Sequence, residues 1–296
     1  MTFRGIFPPV PTPFNPSTGD LDLAALARNV RRWMQTGLAG IVALGSNGEV
    51  ALLDDDEGVR VVEAVRGAMP DDRVLIAGAG QESTRATIDT ARRLAAAGAQ
   101  AVLVRAPSYF KSQMTNEALS AHFTAVADAS PVPVLLYNLP VVTGFVLTPA
   151  LVTTLARHQN IVGIKESSPD LDRLCDFVTG TPQPGFSVFI GFAPDLYPAI
   201  AGGAVGAIIA VANAAPDACV ALQAHVAAGR HAEALALQRK ITPLARLVTT
   251  TYGVPGLKLA LELAGYEGGP ARSPLLPPPA KARDEIAAAL AVVGQG

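Results

Sequence analysis

The sequence predicts an α/β fold, a (β/α)8 TIM barrel with a C-terminal helical extension. Short runs rich in Val, Ile and Leu recur along the chain without polar alternation, which is typical of parallel strands covered on both faces. Amphipathic segments separate these runs, at a spacing of roughly 20 to 35 residues. An open doubly wound sheet is the alternative, but it usually has fewer strands and a phosphate-binding loop after the first one. We therefore expect the barrel over residues 1–214 and helices packed on it over residues 215–296.

The elements follow in order along the chain. The expected strands are 5–11, 40–45, 74–78, 101–105, 134–138, 161–166, 187–191 and 207–210. The expected barrel helices are 23–36, 55–68, 84–97, 115–129, 148–157 and 170–179. The C-terminal helices are expected at 217–228, 232–249, 254–264 and 281–293. Helix starts are supported by the N-cap residues Asp22, Asp54, Ser83 and Thr115, and helix ends by Gly37 and Gly98.

Composition excludes several functional classes. Charged residues make up 16% of the 296 residues and the net charge is −2, so we expect neither nucleic acid nor an anionic membrane as a partner.

Residues 196–216 are uncharged and long enough to span a bilayer, but their glycines and prolines favour a turn and a short buried strand. Cys175 and Cys219 form no CxxC motif, and the N-terminal prolines interrupt any signal peptide, so a reducing cytoplasm is expected.

Lys165 ends the apolar run at 161–166, and among the five lysines of the chain it alone has this position. Burial of an ammonium group costs free energy unless the group is paired or loses its proton. A solvated charge at a strand end is the simple explanation. In a barrel, however, catalytic groups lie at the C-terminal ends of the strands, which makes Lys165 a candidate nucleophile.

Polar residues also end the neighbouring strands: Ser46, Asn47 and Glu49 in GSNGE, then Arg105, Tyr109, Tyr137 and Asn138. This set suits a Schiff-base enzyme, in which a neutral lysine attacks a ketone and the iminium weakens an adjacent carbon–carbon bond. A phenol can shuttle the proton, and the N–H groups of a Gly-Ser-Asn-Gly turn can hold a carboxylate. Each residue also has a purely structural explanation when it is taken singly. Tyr137 would be a core residue, and Glu49 would accept hydrogen bonds from backbone N–H groups at the following turn.

Other chemistries have weaker support in the sequence. The four histidines lie in predicted helices without ligand spacing, so no metal site is expected. GAGQES has Ser83 where a dinucleotide-binding motif has its third glycine, which disfavours a nicotinamide-dependent oxidoreductase.

The chain carries six motifs in a fixed order: GIFPPVPTPF, GSNGE, PSYF, YNLPVVTG, GIKES and GGAVGAIIAVAN. With them it resembles the dihydrodipicolinate synthase / N-acetylneuraminate lyase family of pyruvate-dependent class I aldolases, over about residues 4–277. The resemblance implies a small-molecule 2-oxo acid substrate. It also implies a homotetramer of two tight dimers, and no cofactor beyond a covalent imine on Lys165.

The resemblance also implies roles for single residues. Lys165 would form the Schiff base and Tyr137 would shuttle the proton. Ser46 would link Tyr137 to Tyr109, which is expected to reach into the site of a neighbouring subunit. Asn47 replaces a more usual threonine, so the backbone contacts to the carboxylate are expected to persist. The implied substrate-binding residues are Ser46, Asn47, Ser167, Gly191 and Ile208.

Positions at which the chain departs from the family pattern narrow the choice among candidate substrates. Val142 occupies the arginine position of Tyr-Asn-x-Pro-x-Arg-Thr-Gly, the usual sequence of dihydrodipicolinate synthases, and Ala193 and Pro194 replace the acidic residues of sialic acid lyases. AGAGQEST, SPVPVLLYNLP, YGVPGLK and GYEGGPARSPL resemble 4-hydroxy-2-oxoglutarate aldolases. We therefore expect cleavage of 4-hydroxy-2-oxoglutarate to pyruvate and glyoxylate, with Arg105 as a candidate for the distal carboxylate. Synthesis of 4-hydroxy-tetrahydrodipicolinate from pyruvate and aspartate semialdehyde is the alternative, and a non-catalytic 2-oxo acid-binding barrel is a distant one.

Overall fold

The computed structural model of the protein describes residues 3–182 and 185–294. The strands are β1 Gly5–Phe7, β2 Gly40–Ala43, β3 Val74–Gly78, β4 Ala101–Arg105, β5 Val134–Asn138, β6 Ile161–Glu166, β7 Ser187–Ile190 and β8 Gly206–Ile208. All pairs are parallel, in the order β1-β8-β7-β6-β5-β4-β3-β2. Beyond β1, Pro9 bridges Val42, and the Val10 N–H donates to the Val42 carbonyl at 2.9 Å, which closes the sheet. The predicted (β/α)8 fold is confirmed.

Helices cover the outside of the barrel. They are α1 Leu23–Trp33, α2 Asp55–Ala68, α3 Thr84–Ala96, α4 Asn116–Ala129, α5 Pro140–Thr143, α6 Pro149–Leu155, α7 Leu171–Gly180, α8 Leu196–Ala201 and α9 Pro216–Ala227. The predicted caps Asp22, Asp54, Ser83 and Thr115 each accept a hydrogen bond from a first-turn N–H. These caps satisfy donors that have no partner inside the helix, which is why polar residues mark the helix starts in the sequence.

The structure differs from the predicted elements at several boundaries and in two short helices. β2 ends at Ala43 and β8 at Ile208, both earlier than predicted. β1 ends at Phe7 and not at residue 11, because Pro8, Pro9 and Pro11 have no N–H to donate to a sheet. The short helices α5 and α8 were not predicted, since a helix of four or six residues is too short to show a helical period. Residues 196–216 form α8, β8 and a 3₁₀ turn, Ala210–Asn213. In the part of the chain that the structure describes, no helix could cross a membrane.

Apolar side chains fill two layers, because successive residues of a strand point to opposite faces of the sheet. One layer lies between strands and helices and contains Trp33, Phe123 and Phe177. The other lies inside the barrel and includes Val42, Leu103, Leu135 and Ile208. Within it, Phe7 and Phe189 pack edge to face, with ring centroids 5.7 Å apart. This inner layer is an apolar floor below the C-terminal ends of the strands.

The C-terminal helices are α10 His231–Arg246, α11 Gly253–Leu263 and α12 Ala282–Gly294, with a π-helical segment, Leu247–Thr251, after α10. α9 packs against β1 and α8, and α10 packs against α9 and α12. α11 contacts the turn after β2, which brings the C-terminal region to the catalytic end of the barrel. The domain boundary after residue 214 stays a prediction.

Candidate active site

Lys165 is the penultimate residue of β6, and its side chain lies inside the barrel. It is in register with Tyr137 on β5 and Phe189 on β7, so the three side chains share one face of the sheet. Only 4% of Lys165 is exposed. The lysine that ends the apolar run is therefore buried above the apolar floor and is not a solvated charge at a strand end.

Tyr137 lies directly beside Lys165. Lys165 Nζ donates a hydrogen bond to the Tyr137 phenol at 3.1 Å and lies 4.2 Å from the ring centroid. Burial raises the pKa of Tyr137, but the charge and hydrogen bond of Lys165, with the nearby Ser46 and Ser167 hydroxyls, outweigh burial and leave that pKa below its ordinary value. A phenol with a lowered pKa gives and takes a proton more readily near neutral pH.

The Ser46–Gly48 turn follows β2 at the same end of the barrel. Leu44, just before it, has a positive φ of 55°, which is uncommon for a residue other than glycine. Gly78 permits this backbone, because a Cβ there would lie 2.0 Å from the Leu44 carbonyl oxygen. Thr12 donates a 2.7 Å hydrogen bond to the Gly48 carbonyl. The turn is thus held from two sides. The Gly48 N–H already donates to the Gly45 carbonyl at 2.9 Å, and the N–H groups of Ser46 and Asn47 can receive a carboxylate.

Ser167 and Gly191 lie next to Lys165. A Cβ at Gly191 would be 2.0 Å from Ser167 Oγ and 2.9 Å from Lys165 Cε, so only glycine leaves the space that both side chains occupy. Apart from its approach to the Tyr137 phenol, the buried Ser167 Oγ has no partner among the described residues. It is therefore available to a bound substrate. Ile208 is fully buried in the apolar floor.

Tyr109 lies apart from this cluster within the single chain. Its side chain is 78% exposed and contacts Phe110 edge to face, with centroids 5.1 Å apart. The structure thus brings together Lys165, Tyr137, Ser46 and Ser167, but it does not add Tyr109 from the same chain.

Glu82 holds the segment that carries Tyr109, and the sequence did not single it out. Its carboxylate accepts hydrogen bonds from the backbone N–H groups of Ser108 and Tyr109, both at 2.9 Å, and so holds the segment that carries Tyr109. Burial opposes ionisation, but these N–H groups and Arg105 outweigh it and lower the pKa of Glu82. The sequence signal for this residue is its place in GAGQES, the motif that begins at the last residue of β3.

Arg105 is in register with Tyr137, as its place at the end of β4 suggested. Its guanidinium is already engaged, with Glu82 at 2.8 Å and with the Ala106 carbonyl at 3.1 Å. Binding of a substrate carboxylate by Arg105 would compete with this ion pair. The structure therefore weakens the case for Arg105 as the distal carboxylate ligand.

The arrangement combines an amine, a phenol and an anion-binding turn above an apolar floor. An amine can form an imine with a ketone, and the adjacent phenol can move protons. In the described ranges, 3–182 and 185–294, no three His, Cys, Asp or Glu side chains come together as a metal site requires.

Comparisons with known proteins show which family and which folds this chain resembles. The dihydrodipicolinate synthetase family model matches residues 2–293. A 4-hydroxy-tetrahydrodipicolinate synthase of Exiguobacterium sp. is 36% identical over 97% of this chain and 97% of its own length. An L-threo-3-deoxy-hexylosonate aldolase of Hypocrea jecorina is 34% identical over 92% of this chain and 90% of its own. A prophage protein of the dihydrodipicolinic acid synthase family from E. coli K12, solved in complex with pyruvate, has a TM-score of 0.92 at 29% identity, covering 99% of both chains.

Proposed function

The chain belongs to the dihydrodipicolinate synthetase family of pyruvate-dependent lyases, and from this premise we propose that it cleaves 4-hydroxy-2-oxoglutarate to pyruvate and glyoxylate. The catalytic chemistry of the proposal rests on the Lys165–Tyr137 pair, and the substrate rests on Val142. No bound cofactor is needed, since the substrate itself becomes the covalent imine.

The proposed reaction uses the groups around Lys165. Lys165 Nζ adds as a neutral amine to the C2 carbonyl of the 2-oxo acid, and the Tyr137 phenol supplies the proton with which water leaves, so that the iminium forms beside a Tyr137 phenolate. The Tyr137 phenolate takes the proton of the C4 hydroxyl while the C3–C4 bond breaks, which releases the aldehyde and leaves an enamine. Tyr137 returns the proton to C3, and water hydrolyses the iminium to give pyruvate and free Lys165.

Substrate carboxylate binding is assigned to the Ser46–Gly48 turn. Its N–H groups, with Asn47, would hold the C1 carboxylate, and Ser167 would contact the substrate next to the imine. Gly191 keeps the space open, and Ile208 contributes to the floor on which C3 rests. These roles are part of the proposal.

Val142 is the observation that favours the aldolase. It lies on α5, directly after β5, and 52% of the residue is exposed. Synthases of this family are expected to carry an arginine here that recruits the carboxylate of aspartate semialdehyde. A charge-assisted contact of this kind contributes about 1.5–3 kcal/mol, or roughly ten- to more than a hundredfold in affinity. An isopropyl group offers no donor.

The synthase is the second candidate, and the names of the relatives favour it. Relatives from Exiguobacterium sp., Methanothrix thermoacetophila and Methanoculleus marisnigri are named 4-hydroxy-tetrahydrodipicolinate synthases, and the relative from Hypocrea jecorina is named an aldolase. A non-catalytic barrel has less support, because a pure binding site needs neither a buried nucleophile nor a phenol beside it.

Steady-state kinetics of both reactions on one preparation separates the candidates. We expect kcat/KM for cleavage of 4-hydroxy-2-oxoglutarate to exceed that for condensation of pyruvate with aspartate semialdehyde by at least tenfold, because Val142 lacks a donor. Val142→Arg should narrow the ratio, whereas Val292→Arg, at an exposed valine of α12 in the C-terminal region, is the control. A faster condensation by the unaltered protein would establish the synthase instead.

We also propose assembly into a tetramer of two tight dimers. Tyr109, Phe110, Val141 and Val142 are exposed large apolar residues at 78%, 68%, 86% and 52%. Exposed large apolar side chains of this kind are typical of surfaces that a partner covers. A second copy seated there would cover these residues and could bring Tyr109 to the Ser46 hydroxyl of its neighbour.

Mixed subunits test the position of Tyr109. Tyr109→Phe and Lys165→Ala, each inactive alone, should regain part of the activity after subunit exchange, because a mixed pair has one site with both residues intact. Activity is followed as pyruvate release, and mass spectrometry of the intact assembly verifies exchange. Verified exchange without recovery would place Tyr109 outside the neighbouring site.

A further inference from the structure

A buried ion pair lies behind the Ser46–Gly48 turn. Lys258 on α11 is 2% exposed, and Glu49, the residue after the turn, is 3% exposed. Lys258 Nζ is 2.5 Å from Glu49 Oε1. The same ammonium group donates to the Pro270 carbonyl at 2.7 Å and lies 4.4 Å from the centroid of the Phe14 ring. Two charges have thus been removed from water with their partners in place, although removal of charge from water is costly.

The backbone of Glu49 is directly coupled to the turn. Glu49 has a φ of 58° and a ψ of 32°, and its N–H donates to the Ser46 carbonyl at 3.1 Å. Leu44, at φ 55°, and Glu49 are the non-glycine residues with positive φ in the described part of the chain, and they lie on either side of the turn. Such backbone strain persists only where surrounding contacts hold it.

The side chain of Glu49 supplies those contacts. Its Oε2 accepts the backbone N–H of Arg272 at 2.7 Å, while Oε1 faces Lys258. The Arg272 guanidinium is neutralised elsewhere, because both of its terminal nitrogens bind Glu57, at 2.6 and 2.7 Å. Lys258 is therefore the cation that balances the Glu49 charge. The motifs YGVPGLK and GYEGGPARSPL, which carry Lys258 and Arg272, thereby acquire a physical role.

An acidic residue next to an anion-binding turn needs a cation that neutralises its charge. The Glu49 carboxylate lies one residue beyond the backbone that is proposed to receive the substrate carboxylate, and unbalanced negative charges repel each other strongly where water is excluded. With Lys258 present the pair is neutral. Without Lys258, the negative charge of Glu49 would repel an anion that binds to the N–H groups of the same turn.

We propose that Lys258 is a positioning residue for substrate binding: by neutralising and anchoring Glu49, it keeps the Ser46–Gly48 turn able to hold the carboxylate of a 2-oxo acid. This inference rests on the proposed imine chemistry at Lys165. It does not depend on which aldehyde is released, because the C1 carboxylate is common to pyruvate and to every 2-oxo acid substrate. The interaction is the same in the ground and transition states, so its loss should raise KM more than it lowers kcat.

The test measures the pyruvate concentration at which borohydride trapping is half-maximal, together with KM and kcat for cleavage. Lys258→Met keeps the side-chain length and leaves Glu49 unbalanced, and it should raise both the half-saturating pyruvate concentration and KM at least tenfold. We expect kcat to change by less than threefold. In the double variant Glu49→Gln/Lys258→Met the charge is gone and the amide oxygen can still accept the Arg272 N–H, so most of the pyruvate affinity should return.

Two further variants separate this role from a loss of stability. Phe177→Ala in α7 removes a buried side chain outside β6 and β7, across the barrel from β2. It should lower Tm without changing the pyruvate concentration at half-maximal trapping. Glu49→Gln alone leaves a positive charge near the turn, so its half-saturation should equal or fall below that of the unaltered protein, even if Lys258→Met fails to fold. The inference would be overturned if Lys258→Met and the unaltered protein needed the same pyruvate concentration for half-maximal trapping. It would also be overturned if the single variant Lys258→Met and the double variant bound pyruvate equally weakly, or if Glu49→Gln needed more pyruvate than the unaltered protein. Absence of any adduct in the unaltered protein would instead overturn the proposed imine chemistry.

Discussion

Borohydride reduction in the presence of pyruvate should attach a stable three-carbon adduct to Lys165 and abolish activity. Lys165 is buried above an apolar floor and lies 3.1 Å from a proton carrier, which are the conditions in which a lysine acts as a nucleophile. Peptide mass spectrometry after proteolysis locates the adduct. Lys165→Met, which keeps the chain length and removes the amine, should reduce turnover to background and leave no adduct.

The other lysines provide the contrast. Lys258 is also buried, but its ammonium group is engaged by Glu49 and the Pro270 carbonyl, and Lys111 is exposed. We expect neither to be modified at the pyruvate concentration that saturates Lys165. An adduct on Lys258 or Lys111, or turnover that continues without an adduct, would contradict the mechanism.

Replacement of Tyr137 by Phe should lower kcat for cleavage by roughly 10²–10⁴-fold, the usual contribution of a general acid–base group. The substitution removes the phenolic oxygen that lies next to Lys165 and the Ser46 hydroxyl but preserves the ring in the inner layer. Rapid-quench measurements of aldehyde release follow the bond-breaking step, and borohydride trapping of pyruvate follows imine formation. Trapping should persist while cleavage falls.

A matched change elsewhere in the fold controls for the lost hydroxyl. Tyr266→Phe removes a phenolic oxygen from a buried ring that stacks on Trp33, away from the barrel interior, and should leave kcat unchanged. Near-normal turnover of Tyr137→Phe would exclude Tyr137 from proton transfer. Loss of trapping together with cleavage would place its main effect on imine formation.

The order and type of most elements could be predicted from the sequence. Helix starts were predictable because Asp22, Asp54, Ser83 and Thr115 satisfy first-turn donors within three residues of themselves. Strands were predictable because burial on both faces requires continuous apolar runs. Lys165 was recognisable as a candidate for the same local reason, since it is a charged residue at the end of such a run. These properties depend on neighbours along the chain, which a single sequence displays.

The tertiary structure alone decided which side chains meet. Tyr137 and Lys165 share a face because β5 and β6 pair in one register, and a shift by one residue would turn one of them out of the barrel. Other contacts also join segments distant in sequence: Ser167 lies against Gly191, Glu82 accepts the Tyr109 N–H, and Glu49 pairs with Lys258. Such contacts are set by strand register and by the packing of helices on the barrel, so no local sequence pattern shows which of these residues pair with each other.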